Sequence, residues 1–242
     1  MSQSIKRLKR DEDLKITSTR TICISNISSK EEQNLIKQYI SDNSDVFEIY
    51  TINEDIYSVL FVIFYDIKTS EKIFDHFVQQ GKTVLYTISK YEIPRTPDKC
   101  DSSKNQGTLL VMGRDLSEPL QEEDLLSLFE PFGKIRVIKD FKAFQKYIEF
   151  DDTRSALNAL NSIDNCKFKD GFLSLKPSWD ISINKRWDFI KEIDGLLSSI
   201  KIKQDNNEKK EEKGSKIYEK SVFLKALDDF IVENLSHIEK WL

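Results

Sequence analysis

The sequence predicts an α+β protein of two ferredoxin-like βαββαβ units followed by a C-terminal helical extension. Three observations predict it. Residues 20–93 and 107–178 repeat one order of elements, and an internal repeat is the first thing to recognise in a fold. The spacing repeats as well, with 42 residues from Ile22 to Phe64 and 41 from Leu109 to Phe150. Between the copies, residues 94–106 (PRTPDKCDSSKNQ) carry two prolines, two serines and no apolar periodicity, as a linker does. A βαββαβ unit of this length is the split-βαβ arrangement, a four-stranded antiparallel sheet with both helices on one face.

The first unit opens with a β-rich run, Thr21–Asn26, and a helical pattern from Ser29 to about Ser41. Strands over Val46–Asn53 and Tyr57–Phe64, a helix over Lys68–Gln80 and a strand over Val84–Tyr91 complete it. In the second unit the order is strand Thr108–Met112, helix Gln121–Glu130, strands Lys134–Asp140 and Phe144–Phe150, helix Thr153–Ser162 and strand Gly171–Lys176. Alternation supplies a core face: Ile148 and Phe150 point to the helices, Tyr147 and Glu149 away from them. The face away from the helices is free for a ligand.

Residues 179–242 match no element of the repeat. Ile183, Trp187, Ile190, Ile193, Leu197 and Ile200 recur at three- and four-residue intervals, one apolar stripe of a helix over 179–202. Residues 203–214 are polar and read as a loop. A second amphipathic helix follows over 215–242, with Leu224, Leu227, Phe230, Ile231, Leu235, Ile238 and Trp241 on its stripe. So broad a stripe needs a partner surface, since burying one large apolar side chain is worth about 1.5–3 kcal/mol. The two helices are expected to pack on each other and on the paired units, where they could cap a sheet. The rival is docking of a protein partner or of a second copy of the chain.

Composition narrows the function. The chain has 37 basic and 41 acidic residues, a net charge of −4, which removes the simple electrostatic case for a strongly basic nucleic-acid binder. With two histidines, three scattered cysteines and seven glycines, it shows no HExxH, CxxC or Gly-rich phosphate loop. No enzyme activity, metal or cofactor is expected. The longest apolar run, Val59–Tyr65, is far short of a membrane span, and no apolar core follows the first basic residues, so neither membrane nor secretion is expected. The basic, flexible segment 1–19 contains Lys6-Arg7-x-Lys9-Arg10, compatible with nuclear import. A reduced nuclear or cytoplasmic protein is the expectation.

The strand residues carry a resemblance. Ile22-Cys23-Ile24-Ser25-Asn26-Ile27 is similar to the first-strand signature of the RNA recognition motif (RRM), with Cys23 in place of the aromatic. Tyr57 to Phe64 and Ala143 to Phe150 correspond to its third-strand signature. Phe64-Tyr-Asp-Ile-Lys68, Asn105-Gln-Gly-Thr-Leu109, Lys146-Tyr-Ile-Glu-Phe150-Asp-Asp-Thr-Arg154 and Leu173-Ser-Leu-Lys-Pro-Ser178 resemble the Mei-two-like proteins, RNA-binding regulators of meiosis and differentiation. Those proteins are longer and carry a third, C-terminal RRM that has no counterpart in this sequence.

The resemblance implies single-stranded RNA as ligand, stacked on exposed aromatics of the sheet. Its three stacking positions fall on Cys23, Val59 and Phe61 in the first unit and on Leu110, Gln145 and Tyr147 in the second. Only Phe61 and Tyr147 are aromatic, so weak binding is expected. Lys139, Lys142, Lys146 and Lys176 stand ready for phosphates, which weights RNA contact towards the second unit. Trp179 could add a stacking ring or pack on the following helix, and Arg95, Lys99 and Lys104 could touch RNA or belong to a solvated tether. The competing reading is a protein-interaction scaffold that uses degenerate RRMs and the C-terminal helices to bind a partner in an RNA-processing complex.

Overall fold

Strand alternation and helix periodicity build two similar sheets, each covered on one side by two helices. The computed structural model describes residues 18–52 and 58–208. In the first unit β1 (Thr21–Ser25), α1 (Lys30–Asn43), β2 (Val46–Tyr50), β3 (Val59–Phe64), α2 (Ile67–Gln79) and β4 (Thr83–Thr87) follow in turn. The second unit runs β5 (Thr108–Arg114), α3 (Glu122–Phe129), β6 (Ile135–Lys142), β7 (Gln145–Phe150), α4 (Thr153–Ile163), β8 (Lys167–Phe168) and β9 (Gly171–Ser178). The strand orders are β2-β3-β1-β4 and β6-β7-β5-β9-β8, antiparallel throughout.

Local chemistry sets the helix starts. Ser29, Asp66 and Asp152 each accept a backbone N–H with the side chain, from Glu32, Thr69 and Arg154, and so cap α1, α2 and α4. Beneath the helices, Ile22, Ile24, Leu60, Val62 and Phe64 meet Ile36, Ile40, Ile73 and Phe77. In the second unit Leu109, Val111, Ile148, Phe150, Leu173 and Leu175 meet Leu125, Phe129, Ala156 and Ala159.

Expected boundaries move by more than three residues in two of the described elements. The strand expected over Val84–Tyr91 ends at Thr87, because the Glu92 carboxylate accepts from the Ser89 N–H at 2.8 Å and winds Lys90–Glu92 into a single turn. The short strand β8, absent from the sequence reading, pairs with the start of β9. The last described helix, α5 (Ile183–Glu208), runs six residues into the stretch expected as a polar loop from 203. Lys203, Gln204 and Glu208 are good helix formers and the helix carries on across the weaker Asp205, Asn206 and Asn207, so lack of apolar residues does not by itself end it. The rest of that loop and the second amphipathic helix lie outside the described residues, as do Leu224, Leu227, Phe230, Ile231, Leu235, Ile238 and Trp241.

The two units meet through matching positions of the repeat. Asp66 and Asp152, the two helix caps, form an antiparallel bridge. Its bonds are reciprocal: the Ile67 N–H donates to the Asp151 carbonyl and the Thr153 N–H to the Tyr65 carbonyl, both at 3.0 Å. Asn105 ties both units down, donating to the Phe64 carbonyl at 3.1 Å and accepting from Thr153 Oγ1 at 2.7 Å. Buried Arg20 pairs with Asp180 and donates to the Phe150 carbonyl. Asp180 also accepts from Thr108 Oγ1 at 2.7 Å. A Cβ on Gly107 would collide with the Arg20 guanidinium and lie 2.9 Å from the Phe150 carbonyl oxygen, so this crossing needs glycine. The segment between the units is therefore a fixed part of the interface, and not a free tether.

Candidate nucleic-acid interface

The faces turned away from the helices differ between the two units. In the first, Cys23, Val59 and Phe61 are 0%, 2% and 0% exposed. Helix α5 lies on them: Ile190, Ile193 and Leu197, joined by Ile181, form one apolar cluster with Cys23, Val59, Phe61, Ile88 and Ile93. Tyr50 stacks on Phe61 with centroids 5.2 Å apart, and Lys90 Nζ sits 4.9 Å from the Tyr50 ring centre. Burial pushes the Cys23 thiol and the Tyr50 phenol well above their ordinary pKa values, as in a dry interface. The expectation that Cys23, Val59 and Phe61 contact RNA is thus overturned, because a helix of the same chain occupies their face.

Helix α5 is held at its start by an ion pair. Arg186, 1% exposed, pairs with Asp98, donates to the Glu92 carbonyl at 2.8 Å and lies 4.4 Å over the Trp179 ring. Of the two readings of Trp179, packing on the following helix is what this contact shows. The expected α5 stripe is also rotated in part. Ile183 and Trp187 are exposed, while Arg186, Phe189 and Leu196 turn inward beside Ile190, Ile193 and Leu197.

The second unit keeps its face open. The ladder sets Leu110 between Tyr147 and Lys176, Tyr147 beside Lys139, and Gln145 beside Met112 and Lys142. Partners in register share a face, so Leu110, Gln145, Tyr147, Lys139, Lys142 and Lys176 all lie on it. Leu110, Gln145 and Tyr147 are half-buried and the three lysines exposed. Lys142 and Lys176 make no ion pair among the described residues.

Lys146 is a correction. It lies in register with Val111 and Asp140 on the helix side, as its neighbours Ile148 and Phe150 do. Its side chain is 13% exposed and paired with Asp140, so it does not stand beside Tyr147. Strict strand alternation excludes it from the open face. Lys139 does face outward but shares its charge, because Glu149 accepts from Lys139 and from Arg136 at 2.9 Å each.

Three residues of this surface were missed by sequence reasoning. Phe141 is 50% exposed, with its ring centroid 5.3 Å from that of Tyr147. Phe172 is 47% exposed and in register with Arg114, on the Lys176 face of β9. Arg136 reaches Glu149 from a register shift between Ile135 and Val137, and Phe141 sits in a second shift between Asp140 and Lys142. A bulge breaks period-two bookkeeping, which is why alternation alone could not place Arg136; Phe141 follows Lys139 by two residues and lies past the strand end expected at Asp140. Phe172 was legible as the outward neighbour of Leu173.

The sequence of the second unit agrees with this fold. Residues 113–174 match the model of the RNA recognition motif. The protein MEI2-like 5 of Arabidopsis thaliana is 25% identical over 162 residues, 66% of this chain and 20% of that relative. Protein MEI2-like 4 of Oryza sativa is 28% identical over 148 residues, 60% of this chain and 14% of the relative. The chain therefore spans about a fifth or less of the length of these relatives. A solved Nab3 RRM is 26% identical, covers 30% of this chain and 93% of its own, and superposes with a TM-score of 0.27. The chain carries an RNA recognition motif in its second unit and, across both βαββαβ units, resembles the MEI2-like proteins.

Proposed function

We propose that the protein binds single-stranded RNA through the open sheet of its second unit and acts in post-transcriptional regulation. The observation that carries this is the contrast between two related faces, one sealed by α5 and one exposing Tyr147 together with Lys142 and Lys176, which make no ion pair among the described residues. Tyr147 is the base-stacking ring. Phe141 and Phe172 supply the aromatic surface that Leu110 and Gln145 lack, and Lys142 and Lys176 hold phosphates. One aromatic among the three customary positions gives weak binding, about micromolar. Resemblance to the Mei-two-like proteins supports a role in meiosis or differentiation.

Fluorescence anisotropy of a labelled random-sequence RNA at low salt tests the reading. Wild type binds in the micromolar range and Tyr147→Ala weakens binding by about 5- to 100-fold. Absence of binding at about 100 µM protein sinks it and leaves the scaffold reading in its place.

A further inference from the structure

Beyond Tyr147 the open sheet runs into a cleft between the two units, with a volume of about 350 Å³. Its floor is the second unit's sheet, at Val137, Lys139 and Glu149, and its far wall is the first unit, at Arg20, Thr21 and Ile63. The Val137–Glu149 rung lies one two-residue step past the Lys139–Tyr147 rung, about 7 Å along the strands. The cleft is therefore the next position for a chain already lying on Tyr147. Ile181 and Asp180, just before α5, also line it, so the strand cannot continue from there across the first unit's sheet.

The walls suit a flat ring with polar edges. Ile63, Ile67, Val137 and Ile181 offer apolar faces, while the side-chain amides of Asn105 and Gln106 offer donors and acceptors. Two wall residues carry buried polar atoms without a partner: Arg20 Nε and Thr21 Oγ1, in residues 6% and 1% exposed. Native interiors leave few such groups unpaired, and a donor with a hydroxyl is a fitting pair for a nucleobase edge. Three cations line the cleft, Arg20, Arg136 and Lys139, and three carboxylates match them, Asp180, Glu149 and Glu92, which favours a neutral base over a phosphate.

We propose that this cleft is a base-reading pocket, taking the base of the nucleotide adjacent to the one on Tyr147 and selecting among bases by hydrogen bonds to Thr21 and its neighbours. The inference rests on the RNA-binding reading of the second unit. It assigns sequence preference to a site built by both units, although the first unit's own sheet is closed.

The test uses the full chain and labelled octanucleotides, random except for one fixed position, with Thr21→Val as the variant. Wild type discriminates between bases at one position. Thr21→Val, which keeps the side-chain shape, lowers that discrimination by about 2- to 10-fold and leaves binding to the fully random octanucleotide within about twofold. Discrimination unchanged by Thr21→Val overturns the pocket. Should the variant misfold, photocrosslinking of wild type to 4-thiouridine octanucleotides decides: crosslinks at Arg20, Thr21 or Asn105 support the pocket, and crosslinks confined to the β5–β7–β9 face refute it. Failure of wild type to bind any octanucleotide at about 100 µM removes the RNA reading itself and the pocket with it, an outcome distinct from uniform binding without base preference.

Discussion

Cys23 and Leu110 occupy the same place in the two units, the centre of the sheet on the face away from the helices, yet one is fully buried and the other half-open. Around Cys23 the neighbours are Phe61 and Leu85, under the aliphatic residues of α5. Around Leu110 they are Tyr147 and Lys176, with nothing of the described chain laid across them. The same backbone thus serves as a core layer in one unit and as a surface in the other. Side chains outside the ladder make the difference, because β-sheet hydrogen bonding is indifferent to what covers the face.

The largest effect is expected from uncovering the sealed face. Ending the chain after Ser182 removes α5 but keeps Asp180 for Arg20. Losing the burial of Ile190, Ile193 and Leu197, at about 1.5–3 kcal/mol each, should destabilise the first unit by on the order of 5 kcal/mol. Thermal melting with a hydrophobic dye reads this. An unchanged melt without dye binding would mean that α5 contributes little to the fold.

Exchanging the two aromatic rings sharpens the contrast. Phe61→Ala should cost about 3–5 kcal/mol of stability, as for a fully buried phenylalanine. RNA affinity of the folded fraction should stay at the wild-type value. Tyr147→Ala should do the reverse, lowering affinity while denaturation midpoints hardly move. A Phe61→Ala protein that stays stable but loses RNA binding would return the first unit's face to RNA.

Asp98→Ala isolates the ion pair that holds α5. It strands the guanidinium of Arg186, a group only 1% exposed, and should cost about 3 kcal/mol in urea denaturation. A cost near zero would show that Trp179 and the Glu92 carbonyl suffice to hold the helix.

The smallest effect separates the lysines. Lys142→Ala and Lys176→Ala should each reduce the salt dependence of RNA binding by about 0.7 in slope, one phosphate apiece on a single strand. Lys146→Ala should leave the slope alone, since that side chain is on the helix side and paired with Asp140. Equal effects from all three would mean the charges act through the overall field and not through contacts.

The repeat was legible because its signals are local. Alternation placed Ile148 and Phe150 inward and Tyr147 outward, and the element order of both units followed from short-range patterns. The same alternation excludes Lys146 from the open face, so that residue was readable and was misplaced by grouping it with its charged neighbours. Arg136 was not readable, because register shifts in β6 are set by how two strands fit together and leave no period in one strand's sequence, whereas Phe141 lies two residues after Lys139 on a strand that runs past Asp140.

By itself the sequence determined that there are two βαββαβ units and that an amphipathic helix follows them, since each of these is fixed by spacing along a single stretch of chain. Only the tertiary structure decided which face that helix closes, and that the Asp66–Asp152 bridge and Arg20 lock the units into one body with a cleft between them. Amphipathicity states that Ile190, Ile193 and Leu197 must leave water, but any apolar surface satisfies it. The choice of the Cys23 face depends on the shape of a sheet assembled from four separate segments and on a buried Arg186 pairing with Asp98 from the inter-unit segment. Contacts between residues so distant in sequence have energies that no local window contains.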